Sequence, residues 1–323
     1  MCGRGACTLS EGALSCACGY KNSSGKYRKA PWIKNDELVY VPSCNIGPRA
    51  VVPCTVAGTH FSREEERIVC PMFWGLIPPW HKGDYRKHKA SSHNSRLDRI
   101  LESKLFGPSL RKGLRCAVIF DGYYEWKASG NKSQKQPYYI YATQKPGIKA
   151  DDPTTWPDKW SSESGWEGYK PLKMAGIFNR FKTDEGKIIY SCAILTTDSN
   201  KVLSWLHDRV PVFLNEENCE VWLDLKVSAN TAIDMLKAQE LSEKTLSWHP
   251  VSTLVNNVSH KDEECRKEIQ IMEKRKSGSA TFMASWLKKK SGKSSSGNNE
   301  KDDNFTESET EENERPAKIK KKS

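Results

Sequence analysis

Tryptophan is unevenly distributed along this chain, and its distribution limits where a folded core can form. Ten of the 11 tryptophans lie before His260. After about Lys274 the sequence becomes polar and low in complexity, with the run SGKSSSGNNEKDDNFTESETEENE. Such a segment buries too little apolar surface to offset the entropy that the chain loses on folding. We therefore predict one folded domain over residues 2–265 and a disordered tail over residues 274–323.

The composition excludes several classes of protein. No run of 18 or more apolar residues is present, so we expect no membrane span, and the amino terminus lacks the apolar region of a signal peptide. The 11 cysteines are odd in number and scattered, which indicates free thiols in a reducing compartment. Cys16 and Cys18 have no second ligand pair for a zinc site, so we expect neither a metal nor a cofactor. The net charge of +11 favours an anionic partner such as nucleic acid, and a merely basic soluble protein is the alternative.

Strand and helix patterns follow one another irregularly in the predicted domain. The strongest strand pattern runs from Arg115 to Trp126. We predict extended segments in 38–56, strands at 137–142 and 248–254, and paired strands at 174–181 and 188–197. Helices are predicted at 9–18, 98–105 and 199–206, after Asn215 and at 228–237, with Ser10, Asn215 and Ser228 as amino-terminal caps. Because strands and helices do not alternate at βαβ spacing, the pattern favours an α+β domain with a largely antiparallel sheet.

Cys2 directly follows the initiator methionine. Its small side chain permits removal of Met1, after which Cys2 carries a thiol and a free α-amine on adjacent carbons. These groups titrate near about 8.5 and about 7.7–8.0, so both are partly reactive at neutral pH. Such a 1,2-aminothiol condenses with an aldehyde to an imine and then closes a thiazolidine ring. The alternative is an incidental cysteine at a frayed terminus.

Three further positions carry groups that could serve a site. Glu125 lies among aromatic and aliphatic residues, where desolvation suits a carboxyl group to proton transfer, although a structural pair with an arginine is the alternative. His207 follows a predicted helix and is either a satisfied core imidazole or a group directed at a site. Trp74 and Trp80 flank a Gly-Pro turn, so they are either core residues or a platform on which unpaired bases stack.

Six short motifs occur in an order that resembles one family, the SOS response-associated peptidases, over roughly residues 2–255. The motifs are Met1-Cys2-Gly3-Arg4, Trp74-Gly75-Leu76-Ile77-Pro78, Asn94-Ser95-Arg96, Gly122-Tyr123-Tyr124-Glu125-Trp126, Ala175-Gly176-Ile177 and His207-Asp208-Arg209-Val210-Pro211. The resemblance implies action on abasic (AP) sites in single-stranded DNA. It implies that the terminal cysteine forms a thiazolidine with the ring-opened sugar and shields the lesion from strand cleavage. It also implies an autopeptidase activity that removes the leading methionine.

The resemblance also implies roles for individual residues. Cys2, Glu125, His207 and Asn94 match the reactive and polar active-site positions, and Arg4, Arg96 and Arg209 match basic positions expected near the DNA backbone. The family often has Glu where this chain has Asp98, and Met where it has Val210; neither change removes a reactive group. Two other functions stay open, namely a module that binds 5-hydroxymethylcytosine without a nucleophile and a thiol protease that uses Cys2, His207 and Asn94.

The tail contains two segments with a predicted role. Phe282, Met283, Trp286 and Leu287 form an apolar island within 281–290 that resembles a docking motif for the replication sliding clamp without its usual first glutamine; a solvated tail is the alternative. Residues 315–322 are basic and are typical of a nuclear-import segment. We therefore expect a monomer that acts in the nucleus on chromatin at replication forks.

Overall fold

The computed structural model of the chain describes residues 3–88, 91–127, 135–242 and 244–271. Cys2, the predicted clamp motif at 281–290 and the predicted import segment at 315–322 lie outside these residues. Within the described residues, the helices are α1 (Glu11–Ala17), α2 (Gly107–Arg111), α3 (Glu216–Leu223) and α4 (Ala229–Ala238). In chain order the strands are β1 (Gly5–Cys7), β2 (Tyr20–Lys21), β3 (Tyr27–Arg28), β4 (Ser43–Ile46), β5 (Val51–Ala57), β6 (Arg67–Trp74), β7 (Asn94–Arg96), β8 (Arg115–Phe120), β9 (Gly122–Lys127), β10 (Gln136–Ala142), β11 (Trp160–Ser161), β12 (Gly165–Trp166), β13 (Leu172–Lys182), β14 (Ile188–Asp198), β15 (Arg209–Pro211) and β16 (Leu246–Pro250).

The larger sheet closes into a barrel. Its strands follow the order β13-β8-β5-β6-β14, and β13 also pairs with β14, so the first and last strands meet. The strands alternate apolar residues toward a shared interior, where Val52, Ile68, Val118 and Met174 are fully buried. β7 and β15 extend this sheet by pairing with the second half of β14.

The smaller sheet carries the start of the chain. Its order is β16-β10-β9-β1-β4, with antiparallel pairing throughout, and β1 lies between β4 and β9. Gly5 allows β1 to approach the barrel, because a Cβ at this position would lie 2.6 Å from the ring of Phe120. Residues 5–7 are therefore held between two strands of the smaller sheet.

One continuous stretch joins the two sheets. The strand predicted from Arg115 to Trp126 is present, but it is divided at Asp121 into β8 of the barrel and β9 of the smaller sheet. Gly122 permits this change of sheet, because a Cβ there would lie 2.5 Å from the Tyr139 ring. A bend of this kind is common where a strand crosses between packed sheets.

The architecture confirms the predicted α+β class with a largely antiparallel sheet; the parallel pairs are β14 with β6 and with β7. Predicted helix starts are also confirmed. Ser10, Asn215 and Ser228 each accept a hydrogen bond from the backbone N–H three residues later, at 3.2, 2.7 and 3.1 Å. The paired strands predicted at 174–181 and 188–197 are β13 and β14.

Two predicted helices are wrong. Asp98 lies inside a short 3₁₀ turn over Leu97–Arg99, and α2 begins only at Gly107, with Pro108 in its first turn. Residues 199–206 form turns. In a helix the Val202 carbonyl would accept from the Leu206 N–H, but here it accepts from the Trp205 indole N–H at 3.0 Å, and the Leu206 N–H donates to the Leu203 carbonyl. The strand predicted at 248–254 runs from Leu246 to Pro250.

Candidate active site

The amino-terminal strand enters the smaller sheet beside Glu125. Gly5 is opposite Tyr123 and Ala6 is opposite Gly122, and the Tyr124 N–H donates to the Arg4 carbonyl at 2.9 Å. Continuing this antiparallel register by two residues brings Gly3 opposite Glu125. Cys2 lies outside the described residues. The structure therefore brings the first described residue of the chain to the buried carboxylate.

Glu125 and His207 meet at this position. The Glu125 side chain is only 7% exposed, and its Oε1 lies 3.9 Å from Nε2 of His207, whose side chain is 28% exposed. The carboxylate comes from β9, whereas the imidazole comes from the loop before β15 of the other sheet. A buried carboxylate facing a more accessible imidazole is suited to passing protons to and from a bound molecule.

The local contacts of His207 orient its ring. Nδ1 lies 3.0 Å from the Arg209 backbone N–H, which requires Nδ1 to accept, and 2.7 Å from Oδ1 of Asp208, which requires Nδ1 to donate. The two contacts require different positions of the ring proton. Without a proton, Nδ1 accepts from the Arg209 N–H and the ring proton is on Nε2, which faces Glu125; with a proton, Nδ1 donates to Asp208.

Arg209 fixes the loop that carries His207. Its guanidinium donates to the Asp198 carboxylate at 2.8 Å and to the Thr196 carbonyl at 2.9 Å. The residue is 8% exposed. In this arrangement the guanidinium ties β15 to β14, and the contact of Arg209 with the DNA backbone stays a prediction.

Asn94 and Arg96 are on the same side of β14. β7 pairs with β14 in parallel, so Thr196 has Arg96 on one side and Pro211 on the other. Asn94 is half-buried, whereas Arg96 is exposed and forms two bonds with the carboxylate of Asp98, at 3.0 and 2.9 Å. Because both β7 and β15 pair with β14, the segments that carry Asn94 and His207 lie close together. The Arg96 guanidinium is paired with Asp98.

Arg4 bridges the amino-terminal strand and the end of the domain. One of its guanidinium nitrogens donates to Asn45 at 3.0 Å and to the Val255 carbonyl at 2.7 Å. The guanidinium also lies 5.9 Å from the centre of the Trp126 ring. Trp126 was not predicted as a site residue, although its position directly after Glu125 was a signal. Its indole N–H donates to Asn256 at 2.7 Å.

The two tryptophans predicted as a stacking platform differ in exposure. Trp80 is 62% exposed and remains a candidate. Trp74 is fully buried, and its indole N–H donates to the His93 carbonyl at 3.1 Å. The prediction that Trp74 stacks on bases is therefore corrected, since the ring has no accessible face. Trp74 instead supports the backbone just before Asn94.

A buried ion pair between Asp121 and Arg266 contacts Thr8, the residue directly after β1. The Asp121 carboxylate accepts from both the N–H and the hydroxyl of Thr8, at 2.7 and 2.6 Å, and Arg266 lies 3.4 Å from the same oxygen. Both side chains of the ion pair are fully buried. Burial raises the pKa of Asp121 to about 6, although Arg266 and Thr8 act in the opposite direction. Sequence patterns gave no signal for Arg266, which lies beyond every recognised motif.

Comparison with known proteins identifies the fold and the family. The family model described as SOS response associated peptidase matches residues 1–258. The chain belongs to this family. The relatives include the abasic site processing protein HMCES of Pongo abelii, which is 37% identical over 91% of this chain and 84% of that protein, and that of Xenopus tropicalis, which is 36% identical over 91% and 87%. The abasic site processing protein YedK of Escherichia coli is 29% identical over 68% of this chain and 83% of that protein.

Solved structures confirm the same architecture. A protein from Bacteroides thetaiotaomicron aligns with a TM-score of 0.57 at 20% identity and covers 83% of this chain and all of its own. A protein from Bordetella bronchiseptica aligns at 0.56 and 17% identity over 78% of this chain and all of its own. At these identities the likeness concerns the fold alone.

Three further properties of the described residues concern thiols, metal sites and membrane spans. Their ten cysteines are all free and buried. In the ranges that the structure covers, no group of three or more His, Cys, Asp and Glu side chains is arranged to hold a metal ion. None of the helices in the same ranges is long and apolar enough to cross a membrane.

Proposed function

We propose that this protein processes abasic sites in single-stranded DNA by forming a covalent crosslink through Cys2. The observation that carries the proposal is the register of β1, with Gly5 opposite Tyr123; continued by two residues, this register pairs Gly3, the residue after Cys2, with Glu125. Successive Cα atoms are about 3.8 Å apart, so an aminothiol at residue 2 is within reach of this carboxylate. Relatives of 34–37% identity over about nine tenths of the chain are named abasic site processing proteins.

The reaction requires that Met1 is removed first, because an acylated amine cannot form an imine. DNA is held by its phosphates, and Arg96 is the exposed guanidinium suited to this contact once a phosphate replaces Asp98. Trp80 offers an exposed ring to a neighbouring base. The baseless sugar then enters the space beside Glu125 and His207 in its open aldehyde form.

The covalent steps convert the aldehyde into a thiazolidine. The Cys2 amine attacks C1′, and the resulting carbinolamine loses water to give a protonated imine. The Cys2 thiolate then adds to the same carbon, and its electron pair forms the C–S bond as the C=N π electrons return to nitrogen. The products are one thiazolidine and one water, with no oxidant or reductant needed.

Glu125 and His207 divide the proton transfers. Glu125 takes protons from the attacking amine and returns one to the departing hydroxyl. His207 directs its Nε2 proton at the sugar hydroxyl and favours the open form of the sugar. Asn94 orients the terminal amine or the sugar by hydrogen bonds. The same protonation by Glu125 in reverse reopens the ring, so the crosslink is slowly reversible.

The imine intermediate has a second possible fate. An imine at C1′ also promotes β-elimination of the 3′ phosphate, as in AP lyases. Closure of the thiazolidine removes the imine and diverts the intermediate from strand cleavage. In the Cys2→Ser variant the amine remains but the ring-closing thiol is absent, so we expect some imine chemistry without a stable adduct.

The test is to mix protein from which Met1 has been removed with an oligonucleotide bearing one AP site, followed by a denaturing gel after heating. Wild type is expected to give a heat-stable adduct and Cys2→Ser none. Glu125→Gln is expected to slow adduct formation by about a hundredfold or more. Glu217→Gln, an exposed glutamate in α3, is the matched control and should behave as wild type.

Two outcomes would contradict the proposal. Equal amounts of heat-stable adduct from wild type and Cys2→Ser would remove the thiazolidine from the mechanism. No adduct from wild type, together with tight binding to duplex containing 5-hydroxymethylcytosine, would favour a binding module instead. An oligonucleotide with a tetrahydrofuran in place of the AP sugar lacks the aldehyde and should give no adduct with any variant.

The cellular setting is proposed from the sequence of the tail. The basic segment at 315–322 and the apolar island at 281–290 suit nuclear import and docking on the sliding clamp. Truncation after Gly278 is expected to leave crosslinking to an oligonucleotide unchanged and to abolish binding to the clamp. Loss of crosslinking on truncation would contradict this division.

A further inference from the structure

The face of the smaller sheet that carries Glu125 continues outward as a row of aromatic side chains. Tyr138 of β10 is directly opposite Glu125, and Trp248 of β16 is opposite Ile140, two residues further along β10. Because side chains alternate between the faces of a strand, Glu125, Tyr138 and Trp248 lie on one face of the sheet. The row thus begins at the candidate active site and ends at the edge strand.

Trp205 joins this row from the loop that carries His207. Its ring meets Tyr138 edge-on at 4.9 Å and lies 5.7 Å from Trp248. Its indole N–H is bonded to the Val202 carbonyl, so the ring is held in place. Trp248 is 36% exposed, and Tyr138 and Trp205 are partly exposed. We call Tyr138, Trp205 and Trp248 the aromatic ledge.

Two exposed lysines lie next to the aromatic ledge in the structure or in the chain. The ammonium of Lys127, an exposed residue at the end of β9, lies 5.1 Å from the centre of the Trp205 ring. Lys201, near the start of the same loop, is also exposed. Aromatic rings flanked by cations bind single-stranded nucleic acid with little sequence preference, because every base has a stacking face and every nucleotide a phosphate.

The spacing matches a strand of DNA that leaves the lesion. Neighbouring strands lie about 4.8 Å apart, so β16 is roughly 10 Å from β9. Stacked nucleotides rise about 3.4 Å each, so the aromatic ledge lies within two or three nucleotides of a sugar held at Glu125.

We propose that the aromatic ledge binds the unpaired nucleotides on one side of the abasic site, with bases against Trp248 and Trp205 and a phosphate at Lys127. This inference rests on the proposed function, since it takes the lesion to lie at Glu125. Its consequence is that the protein selects lesions with unpaired DNA on that side. Trp80 is in a different part of the chain and does not contribute to the aromatic ledge.

The test uses the tetrahydrofuran analogue, which cannot crosslink, so affinity is measured independently of the covalent chemistry. Fluorescence anisotropy compares a long oligonucleotide with versions cut short on the 5′ side or on the 3′ side of the lesion. Trp248→Ala is expected to weaken binding of the long oligonucleotide about tenfold. On the oligonucleotide shortened on the ledge side, Trp248→Ala and wild type should bind equally. Leu225→Ala, an exposed apolar residue elsewhere, is the matched control.

Salt dependence separates the two contributions. Lys127→Gln is expected to reduce the slope of log affinity against log salt by about one, whereas Trp248→Ala should leave the slope unchanged. The proposal would be overturned if Trp248→Ala bound every oligonucleotide as tightly as wild type does, a result that would favour a protein partner for the aromatic ledge. It would also be overturned if Trp248→Ala lost the same affinity for all of the oligonucleotides. If wild type failed to crosslink but Trp248→Ala still lost about tenfold in affinity for the long oligonucleotide only, the proposed function would be contradicted and the aromatic ledge would not.

Discussion

The barrel and the smaller sheet bury different chemical groups. Inside the barrel Cys54 and Cys192 approach to 3.8 Å between sulfurs, among aliphatic side chains. Burial raises the pKa of Cys54, so this thiol stays neutral and unreactive. The smaller sheet instead buries the Asp121–Arg266 ion pair and the Glu125 carboxylate. The comparison indicates that the barrel has an apolar interior, whereas the smaller sheet places buried charged groups beside β1.

Arg266→Met is expected to have the largest effect on folding. It leaves the Asp121 carboxylate buried without its cation, and breaking a buried ion pair in this way costs about 3–5 kcal/mol. Urea unfolding followed by tryptophan fluorescence measures the loss. Lys267→Met, at the exposed neighbour, is the control and should barely change stability. A loss for Arg266→Met no greater than that of the control would mean that the ion pair does not anchor β1.

The second prediction concerns pH. The folded-state pKa of Asp121 is raised from 3.8 to about 6, so folding favours the protonated carboxyl group. Its stabilisation is fully present below about pH 4 and is lost as the pH rises through 6, an effect of about 3 kcal/mol. We expect the unfolding free energy of wild type, relative to Asp121→Asn, to fall by this amount between pH 4 and pH 7. Urea titrations across that range would contradict it if the difference stayed constant or increased.

Cys54→Ala is expected to have the smallest effect. Removing one buried sulfur from the barrel costs about 1 kcal/mol, and the variant should crosslink AP-site DNA as wild type does. Unfolding in urea and the crosslinking gel measure the two quantities. A loss of crosslinking in a folded Cys54→Ala protein would show that the barrel thiols take part in the chemistry, against the comparison drawn above.

Sequence patterns predicted those parts of the molecule whose determinants are local. The caps at Ser10, Asn215 and Ser228 and the hairpin of β13 and β14 are confirmed, because hydrogen-bonding side chains and alternation act over a few residues. The helix predicted at 199–206 is wrong because the Trp205 side chain competes for a backbone carbonyl, which no local pattern reveals.

The motifs selected two side chains that lie together in the structure, but they did not reveal which residues surround and support them. Glu125 and His207 were recognised from motifs, and the structure brings them together from different sheets. Trp74 matched a motif equally well but is core, since a motif does not distinguish a buried ring from an exposed one. Arg266 depends on a contact with Asp121 across 145 positions, and such long-range pairing leaves no periodic signature.

The account rests on a free Cys2 aminothiol held beside Glu125, and intact mass spectrometry tests this most directly. Recombinant protein is weighed before and after mixing with an oligonucleotide bearing one AP site. The account predicts protein without Met1, and an adduct whose mass is that of protein plus oligonucleotide minus one water. An adduct on protein that retains Met1, or an adduct of the same mass deficit and yield from Cys2→Ser, would contradict it.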